Sequence, residues 1–335
     1  MSNEDFVARL EAAVARHIGA PGTIHNFQRL TGGANKTTYS FDADIGGKRE
    51  PFILQVPAPA PPPDPNDPLA EYSVRITGDQ DARLMIAAVK AGVPAPRVRA
   101  ILSEADGVEV GWVTERIEGE TLMPRILRED RYAKARTLMA AQCGEILAGI
   151  HKIDLAEVPF LKYLSAARQI ESYQLTADML GLRLPAFELT LQWAKENLPV
   201  NPRHTVVHGD YRAGNFIVGE EGIRCILDWE GAQSGDPMQD MGWLCVKTWR
   251  FGGRGPVGGF GRREDLFAAY EKASGHRVDP LHVRFWEAFG STRWAIASLR
   301  LGTRGIEEVD IERSTIGRRI EEPLWDFLAL VEGRD

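Results

Sequence analysis

Apolar residues change their spacing several times along this chain, and each change marks an element. Phe6, Val7, Leu10, Val14 and Ile18 recur at helical intervals and predict an amphipathic helix over residues 4–18. The period then shortens, and residues 24–30, 37–45 and 52–56 read as strands. Residues 57–68 are dense in proline, which excludes helix or inner strand and predicts an exposed, extended loop. Residues 79–91 return to helical spacing and end at Gly92 and Pro94. Strands at 98–102 and 110–117 then flank a turn at Glu104-Ala105-Asp106-Gly107. Beyond residue 118 the pattern is mainly helical, with helices expected at about 131–152, 165–180, 186–198, 237–249, 262–274, 280–303 and 307–330. The glycine-rich stretch 252–259 is expected to be a mobile loop. No internal repeat is present.

One short β-rich passage interrupts the helical part, and the candidate chemistry lies there. Val206-Val207 reads as a buried strand leading into His208-Gly209-Asp210-Tyr211-Arg212-Ala213-Gly214-Asn215. Phe216-Ile217-Val218 and Arg224-Cys225-Ile226-Leu227 read as a hairpin turning at Gly219-Glu220-Glu221-Gly222, which returns Asp228 beside Asn215. Phosphoryl transfer from Mg-ATP needs a carboxylate to orient and deprotonate an attacking hydroxyl, an amide on the metal, and a second carboxylate on the metal. Asp210 fits the first role, and Asn215 and Asp228 fit the other two as hard oxygen ligands for Mg²⁺. His208 is expected to brace the loop, and Asp236 and Asp240 to cap or brace the helix start that follows. Arg212 stands where it can steady a transferred phosphate, and Glu230 where it can reach metal or acceptor. A zinc site at His204 and His208 is excluded, because residues four apart in a strand lie roughly 13 Å from each other. No Gly-Xaa-Ser-Xaa-Gly elbow exists, which argues against a serine hydrolase. In the first part of the chain, Thr31-Gly32-Gly33-Ala34-Asn35-Lys36 lies between two strands, a setting in which backbone N–H groups can cradle phosphates.

At these residues the chain resembles the aminoglycoside phosphotransferase and choline kinase family, which shares the protein-kinase-like fold. The His-Gly-Asp loop with its Asn and the Asp228-Trp229-Glu230 triplet carry the likeness. The continuation 235–244 and Trp249-Arg250-Phe251-Gly252 resemble a branch found as kinase-like domains associated with acyl-CoA dehydrogenases. The resemblance implies an α+β, bilobal fold: a small antiparallel-sheet lobe over 1–117 that holds nucleotide, and a mainly helical lobe over 118–335 that carries catalysis and the acceptor. It implies a hinge at 115–119, where backbone groups of Glu115 and Ile117 read adenine, and an ATP- and Mg²⁺-dependent kinase acting on a small-molecule hydroxyl. It also exposes a departure. A kinase-like third strand ends in a Lys that pairs with phosphates and with a helix acid. Here Gln55 stands in that place, and the helix acid is Asp81. Lys36, Lys48 and Arg83 are the candidates for a substitute cation; without one, the chain would be a pseudokinase.

Composition narrows the class further. The chain has 335 residues, 44% hydrophobic and 26% charged, which suits a soluble globular protein with an ample core. No apolar run approaches a membrane span, and the acidic N-terminus lacks a signal peptide's pattern, so a cytoplasmic protein is expected. Cys143, Cys225 and Cys245 are widely spaced in apolar surroundings and read as reduced core residues. A net charge of −7 argues against a nucleic-acid binder. Yet residues 247–304 hold eleven Lys or Arg against five acids. A basic acceptor wall would repel polycationic aminoglycosides and favour an anionic acceptor. On a helix over 280–303, Trp286, Phe289, Arg293 and Arg300 share one face, which makes Arg293 and Arg300 candidate acceptor contacts. Some members of the resembled branch phosphorylate hydroxyacyl-CoA substrates, so a hydroxyacyl-CoA is the first-choice acceptor, with an aminoglycoside-type antibiotic kinase as the alternative.

Overall fold

The computed structural model describes residues 3–30, 36–58, 64, 66–76, 78–307 and 310–334. Helix α1 (Asn3–His17) precedes three consecutive antiparallel strands, β1 (Pro21–Leu30), β2 (Lys36–Ile45) and β3 (Lys48–Pro57). Helix α2 (Gly78–Lys90) comes next, then β4 (Val98–Leu102) and β5 (Gly111–Glu115). The five strands form one antiparallel sheet in the order β1-β2-β3-β5-β4. Gly46 and Gly47, both at positive φ, make the two-residue turn that sets Ile45 opposite Lys48. The apolar stripe of α1, Phe6, Leu10 and Val14, packs with Phe41, Phe52, Leu54 and Val113 into one core. Helix α2 sends Leu84, Met85 and Ala88 into a second, larger core that it shares with the helical part. It therefore bridges the two halves, which is how Asp81 on its first turns comes to face the chemistry described below.

The helical part begins with α3 (Met123–Arg128) and α4 (Ala133–Ile150), followed by α5 (Ala166–Met179) and α6 (Pro185–Glu196). Four short strands follow: β6 (Thr205–Val207), β7 (Phe216–Gly219), β8 (Gly222–Ile226) and β9 (Gln233–Gly235). β7 pairs with β8 as expected, and β6 pairs with β9, a partner that three residues without a period could not announce. The chain closes with α7 (Met238–Cys245), α8 (Arg263–Ser274), α9 (Pro280–Glu307), α10 (Ile311–Gly317) and α11 (Glu321–Val331). Cys143, Cys225 and Cys245 are buried and free. No helix among the described residues is long and apolar enough to cross a membrane.

Three expectations change. The helix expected over 307–330 is two helices. Gly317 of α10 backs onto Gly302 of α9, while α11 turns to bury Leu324, Phe327 and Leu330, and one straight rod could not do both. The helix expected over 237–249 stops at Cys245, and Phe251 follows in the left-handed region at φ 48. The stretch 252–259, expected to be mobile, is folded back on itself. Gly255 bridges Gly259, Val257 bridges Gly261, Gly258 donates its N–H to the Leu244 carbonyl at 3.2 Å, and Val257 is fully buried. Glycine serves close approach here: a Cβ on Gly259 would run into the Arg250 carbonyl.

Candidate active site

The β6–β9 pair delivers the His208–Asn215 loop, and a buried acid sets its backbone. Asp240, on α7 and without exposed surface, accepts the backbone N–H of His208 at 2.8 Å and of Gly209 at 2.9 Å. Gly209 has φ 78, and a Cβ there would strike the Gly231 carbonyl, so both conformation and space demand glycine. His208 Nδ1 accepts the Asp210 N–H at 3.2 Å, the bracing role expected of it. From α9, Arg293 donates to the Gly209 carbonyl at 2.7 Å while its guanidinium lies 4.3 Å from the Trp243 ring centroid. The Asp210 side chain is then fixed on both oxygens. Oδ1 accepts from Trp243 Nε1 at 2.7 Å and from Arg212 Nε at 3.1 Å, and Oδ2 accepts from Asn215 Nδ2 at 2.7 Å. A carboxylate with fixed orientation is what a hydroxyl-orienting base requires.

Asn215 spends its amide N–H₂ on the Asp210 carbonyl and carboxylate, so its amide oxygen is the atom left to act as a ligand. The Leu227 N–H donates to the Asn215 carbonyl at 2.8 Å, and this bond closes the hairpin so that Asp228 returns to the loop. Asp228 sits in the left-handed region at φ 66. Its carboxyl, 41% exposed, is pushed up to about 6 by the loss of water to the protein packed around it; Lys36 opposes the shift, and Glu230 and Asp210 add to it. An amide oxygen and a carboxylate suit Mg²⁺, which takes one or two carboxylates and completes its shell with phosphate and water. The described residues contain no cluster of three His, Cys, Asp or Glu, so no all-protein cage competes with that arrangement among them.

On the side of the five-stranded sheet, Lys36 Nζ lies 2.6 Å from Asp81, 3.4 Å from Glu230 and 3.9 Å from Asp228. Burial disfavours its charge, but Asp81, Glu230 and Asp228 together outweigh that and hold the ammonium above the ordinary lysine range. Gln55 accepts the indole N–H of the buried Trp112 at 3.0 Å. Glu115 pairs with Arg99 at 3.2 Å, and the half-buried Ile117 that follows makes no backbone hydrogen bond among the described residues. Arg83 is 63% exposed and pairs with Asp79; Lys48 is at the far end of β3. Gly32, Gly33 and Asn35 lie outside the described residues.

On the opposite side Arg212 stacks on Trp249, 4.5 Å from its centroid, and Trp249 packs edge-on against both Trp243 and Trp294. Two cavities open around the Phe251-Gly252-Gly253 turn. One, of about 550 Å³, is lined by Trp249, Trp294 and Phe251, with the ion pairs Lys247–Asp326 and Arg319–Glu322 in its wall. The other, of about 510 Å³, is lined by Phe251, Phe260, Arg128, Arg136 and Arg254, with no carboxylate in its wall. Arg293 and Arg300 line neither; Arg293 braces the loop, and Arg300 is exposed on α9. Much of the basic excess over 247–304 is spent internally: Arg250 and Arg263 both meet the buried Glu287, and Arg284 donates to the Leu330 carbonyl. Sequence reasoning missed Trp112, Trp243 and Arg136. A Trp close behind a candidate loop was the available signal for Trp243; Arg136 carried none.

A model of the phosphotransferase enzyme family matches residues 26–281. Over 177 residues the chain is 27% identical to acyl-CoA dehydrogenase family member 10 of Mus musculus, covering 50% of this chain and 16% of that protein. It is 26% identical over 187 residues to acyl-CoA dehydrogenase family member 11 of Gallus gallus, covering 53% and 23%. The chain thus spans less than a quarter of these relatives' length. Among solved structures, a candidate aminoglycoside phosphotransferase from Ralstonia eutropha superposes with a TM-score of 0.76 at 19% identity, over 97% of this chain and 98% of that one. A choline/ethanolamine kinase family protein from Mesorhizobium loti gives 0.60 at 20%, over 99% of each. A spectinomycin phosphotransferase holding ADP and spectinomycin gives 0.62 at 13%, over 96% and 98%. Small antiparallel sheet, helical second lobe and these neighbours together make the fold protein-kinase-like.

Proposed function

The chain belongs to the phosphotransferase enzyme family and is a small-molecule kinase, and from that premise we propose that it transfers the γ-phosphoryl group of ATP, with Mg²⁺, to a hydroxyl of an anionic acceptor. One observation carries the reading: Asp210 is held on both oxygens by Trp243, Arg212 and Asn215, and the Leu227 N–H bond to the Asn215 carbonyl returns Asp228, the next residue, to that loop. Asp210 takes the proton of the acceptor hydroxyl as its oxygen bonds to the γ-phosphorus. The bond from that phosphorus to the β-bridging oxygen breaks, and ADP leaves with the electron pair. Arg212, beside Asp210, is placed to steady the charge on the transferred group. Asn215 and Asp228 would hold Mg²⁺, which when bound neutralises phosphate charge. Backbone groups at Glu115 and Ile117 would read adenine, and ADP in the spectinomycin phosphotransferase supports a nucleotide in this cleft.

For the acceptor, a hydroxyacyl-CoA is the first choice. The matched regions of acyl-CoA dehydrogenase family members support it, and so does a cavity walled by Arg128, Arg136 and Arg254 without a carboxylate. That wall repels a polycation, which weighs against the aminoglycoside acceptors of several structural neighbours. ADP release measured against a panel of hydroxyacyl-CoAs and aminoglycosides decides between them. Turnover with an acyl-CoA, weakened by salt and by Arg254→Ala, is expected. Efficient turnover of kanamycin-type amines, with none for any acyl-CoA, would replace this reading with the antibiotic-kinase one.

A further inference from the structure

We propose that Lys36 of β2 has taken over the phosphate-holding role that a kinase-like third strand gives to its own Lys, and that Gln55, standing in the vacated place, positions Lys36 through Trp112. The inference rests on the phosphoryl-transfer reading above. Register makes the exchange possible. Thr38 is directly opposite Gln55, and Gln55 is directly opposite Trp112. Residue 36, two before Thr38, therefore shares one face of the sheet with both Gln55 and Trp112. It stands one diagonal step from Gln55, about 7–8 Å, which the four-carbon stem of lysine spans. An ammonium launched from residue 36 can thus reach the space that a third-strand lysine would fill.

The partners agree with that. Lys36 is 2.6 Å from Asp81, the helix acid, so it makes from the second strand the ion pair that a kinase makes from the third. It also reaches toward Glu230 and Asp228, so the cation lies beside the acid assigned to metal rather than out in solvent. Its side chain is only 13% exposed.

Gln55 has a different task. Lys36 Nζ stands 5.5 Å from the centroid of the Trp112 ring, and Trp112 is fully buried, so its indole N–H requires an acceptor. Gln55 Oε1 is that acceptor at 3.0 Å. A lysine at 55 has no acceptor atom and would set a second ammonium beside the first. Once the cation comes from β2, position 55 calls for an acceptor, which accounts for a Gln there. The other candidates stand elsewhere. Lys48 begins β3, seven residues from Gln55 and so roughly 23 Å along the strand, and Arg83 is committed to Asp79 on the exposed side of α2.

Titration calorimetry of Mg-ATP on the full chain tests this. Lys36→Met should weaken binding about 10- to 100-fold, the scale of a lost charge-assisted contact, while Lys48→Ala and Arg83→Ala stay within about twofold. The exchange variant, Lys36→Gln with Gln55→Lys, should recover most of the affinity lost in Lys36→Met, because the cation is returned by the other strand. Gln55→Leu should weaken binding a few-fold in the unaltered background and have no effect after Trp112→Phe, which removes the N–H that Gln55 serves. Lys36→Met that folds and binds like the unaltered chain overturns the proposal, as does an exchange variant that folds yet binds no better than Lys36→Met. Equal effects of Gln55→Leu in both backgrounds overturn the positioning role of Gln55. An unaltered chain that binds no Mg-ATP sinks the phosphotransfer reading as well, and so separates the two failures.

Discussion

Asp240→Asn should cripple the catalytic loop without touching the nucleotide. The carboxylate is fully buried and accepts two consecutive backbone N–H groups, His208 at 2.8 Å and Gly209 at 2.9 Å. Asparagine offers one carbonyl oxygen, and its amide nitrogen must face the other N–H, donor against donor. One charge-assisted bond is lost, about 1.5–3 kcal/mol, and one buried N–H is left unsatisfied, about 1–3 kcal/mol. The total, about 2.5–6 kcal/mol, translates into a melting temperature lower by roughly 4–9 °C in a chain of this size. Gly209 precedes Asp210 and is pinned on its carbonyl by Arg293, so a loosened N–H side should swing the base. A fall in kcat of at least about tenfold is expected, with Mg-ATP affinity within about threefold, because a misplaced general base forfeits part of its 10²–10⁴-fold contribution. Thermal unfolding by circular dichroism, steady-state ADP release and Mg-ATP titration read the three quantities. A melting temperature within 2 °C of the parent together with unchanged kcat would refute the bracing argument.

Two further outcomes follow from buried charge elsewhere. Donation by the Ser103 N–H, assisted by His17, holds the Asp106 carboxyl down from its ordinary 3.8 to about 2. A depressed carboxyl gives stability that is present above the unfolded value and lost as pH falls toward the folded one. Urea unfolding should therefore find Asp106→Asn less stable by up to about 2.5 kcal/mol at pH 6, a gap that closes between about pH 4 and pH 2; a gap constant with pH would remove Asp106 from this role. Glu287, buried on α9, holds Arg263 at 2.7 Å and Arg250 at 3.1 Å, and Glu287→Ala should cost about 3–5 kcal/mol by leaving two guanidinium groups without their carboxylate. A loss below 1 kcal/mol in denaturant titration would mean that water or another acid satisfies them.

How much of this was legible in the chain depends on what carried the signal. Long periodic segments declared themselves: α1, α4 and the three consecutive strands lie within a few residues of their expected bounds, because the side-chain pattern and the packed face are the same fact. The loop and hairpin were legible because glycines, a turn and two acids stood in fixed order over twenty-one residues, His208 to Asp228. Strand β9 was not, since its three residues Gln233-Ser234-Gly235 gain their pairing only from β6 across the fold. The glycine stretch misled for a related reason. Glycine permits mobility, but at Gly253, Gly255 and Gly259 it permits backbones to touch, and only the neighbours distinguish the two. The acceptor side was least legible. A charge count over 247–304 cannot tell an Arg that greets a ligand from one that holds Glu287 or the Gly209 carbonyl, and two of the three arginines walling the anion-friendly cavity, Arg128 and Arg136, lie outside that segment.

Transfer of label from γ-labelled ATP to a hydroxyacyl-CoA, followed in the parent chain and in Asp210→Asn at equal nucleotide saturation, bears on the whole chemical reading at once. Asp210 touches Trp243, Arg212 and Asn215 rather than Lys36, so the variant should bind Mg-ATP nearly as the parent does while its transfer rate drops by about 10²–10⁴-fold. A variant retaining more than about a tenth of the parent's transfer rate would mean that Asp210 is not the group that receives the acceptor's proton.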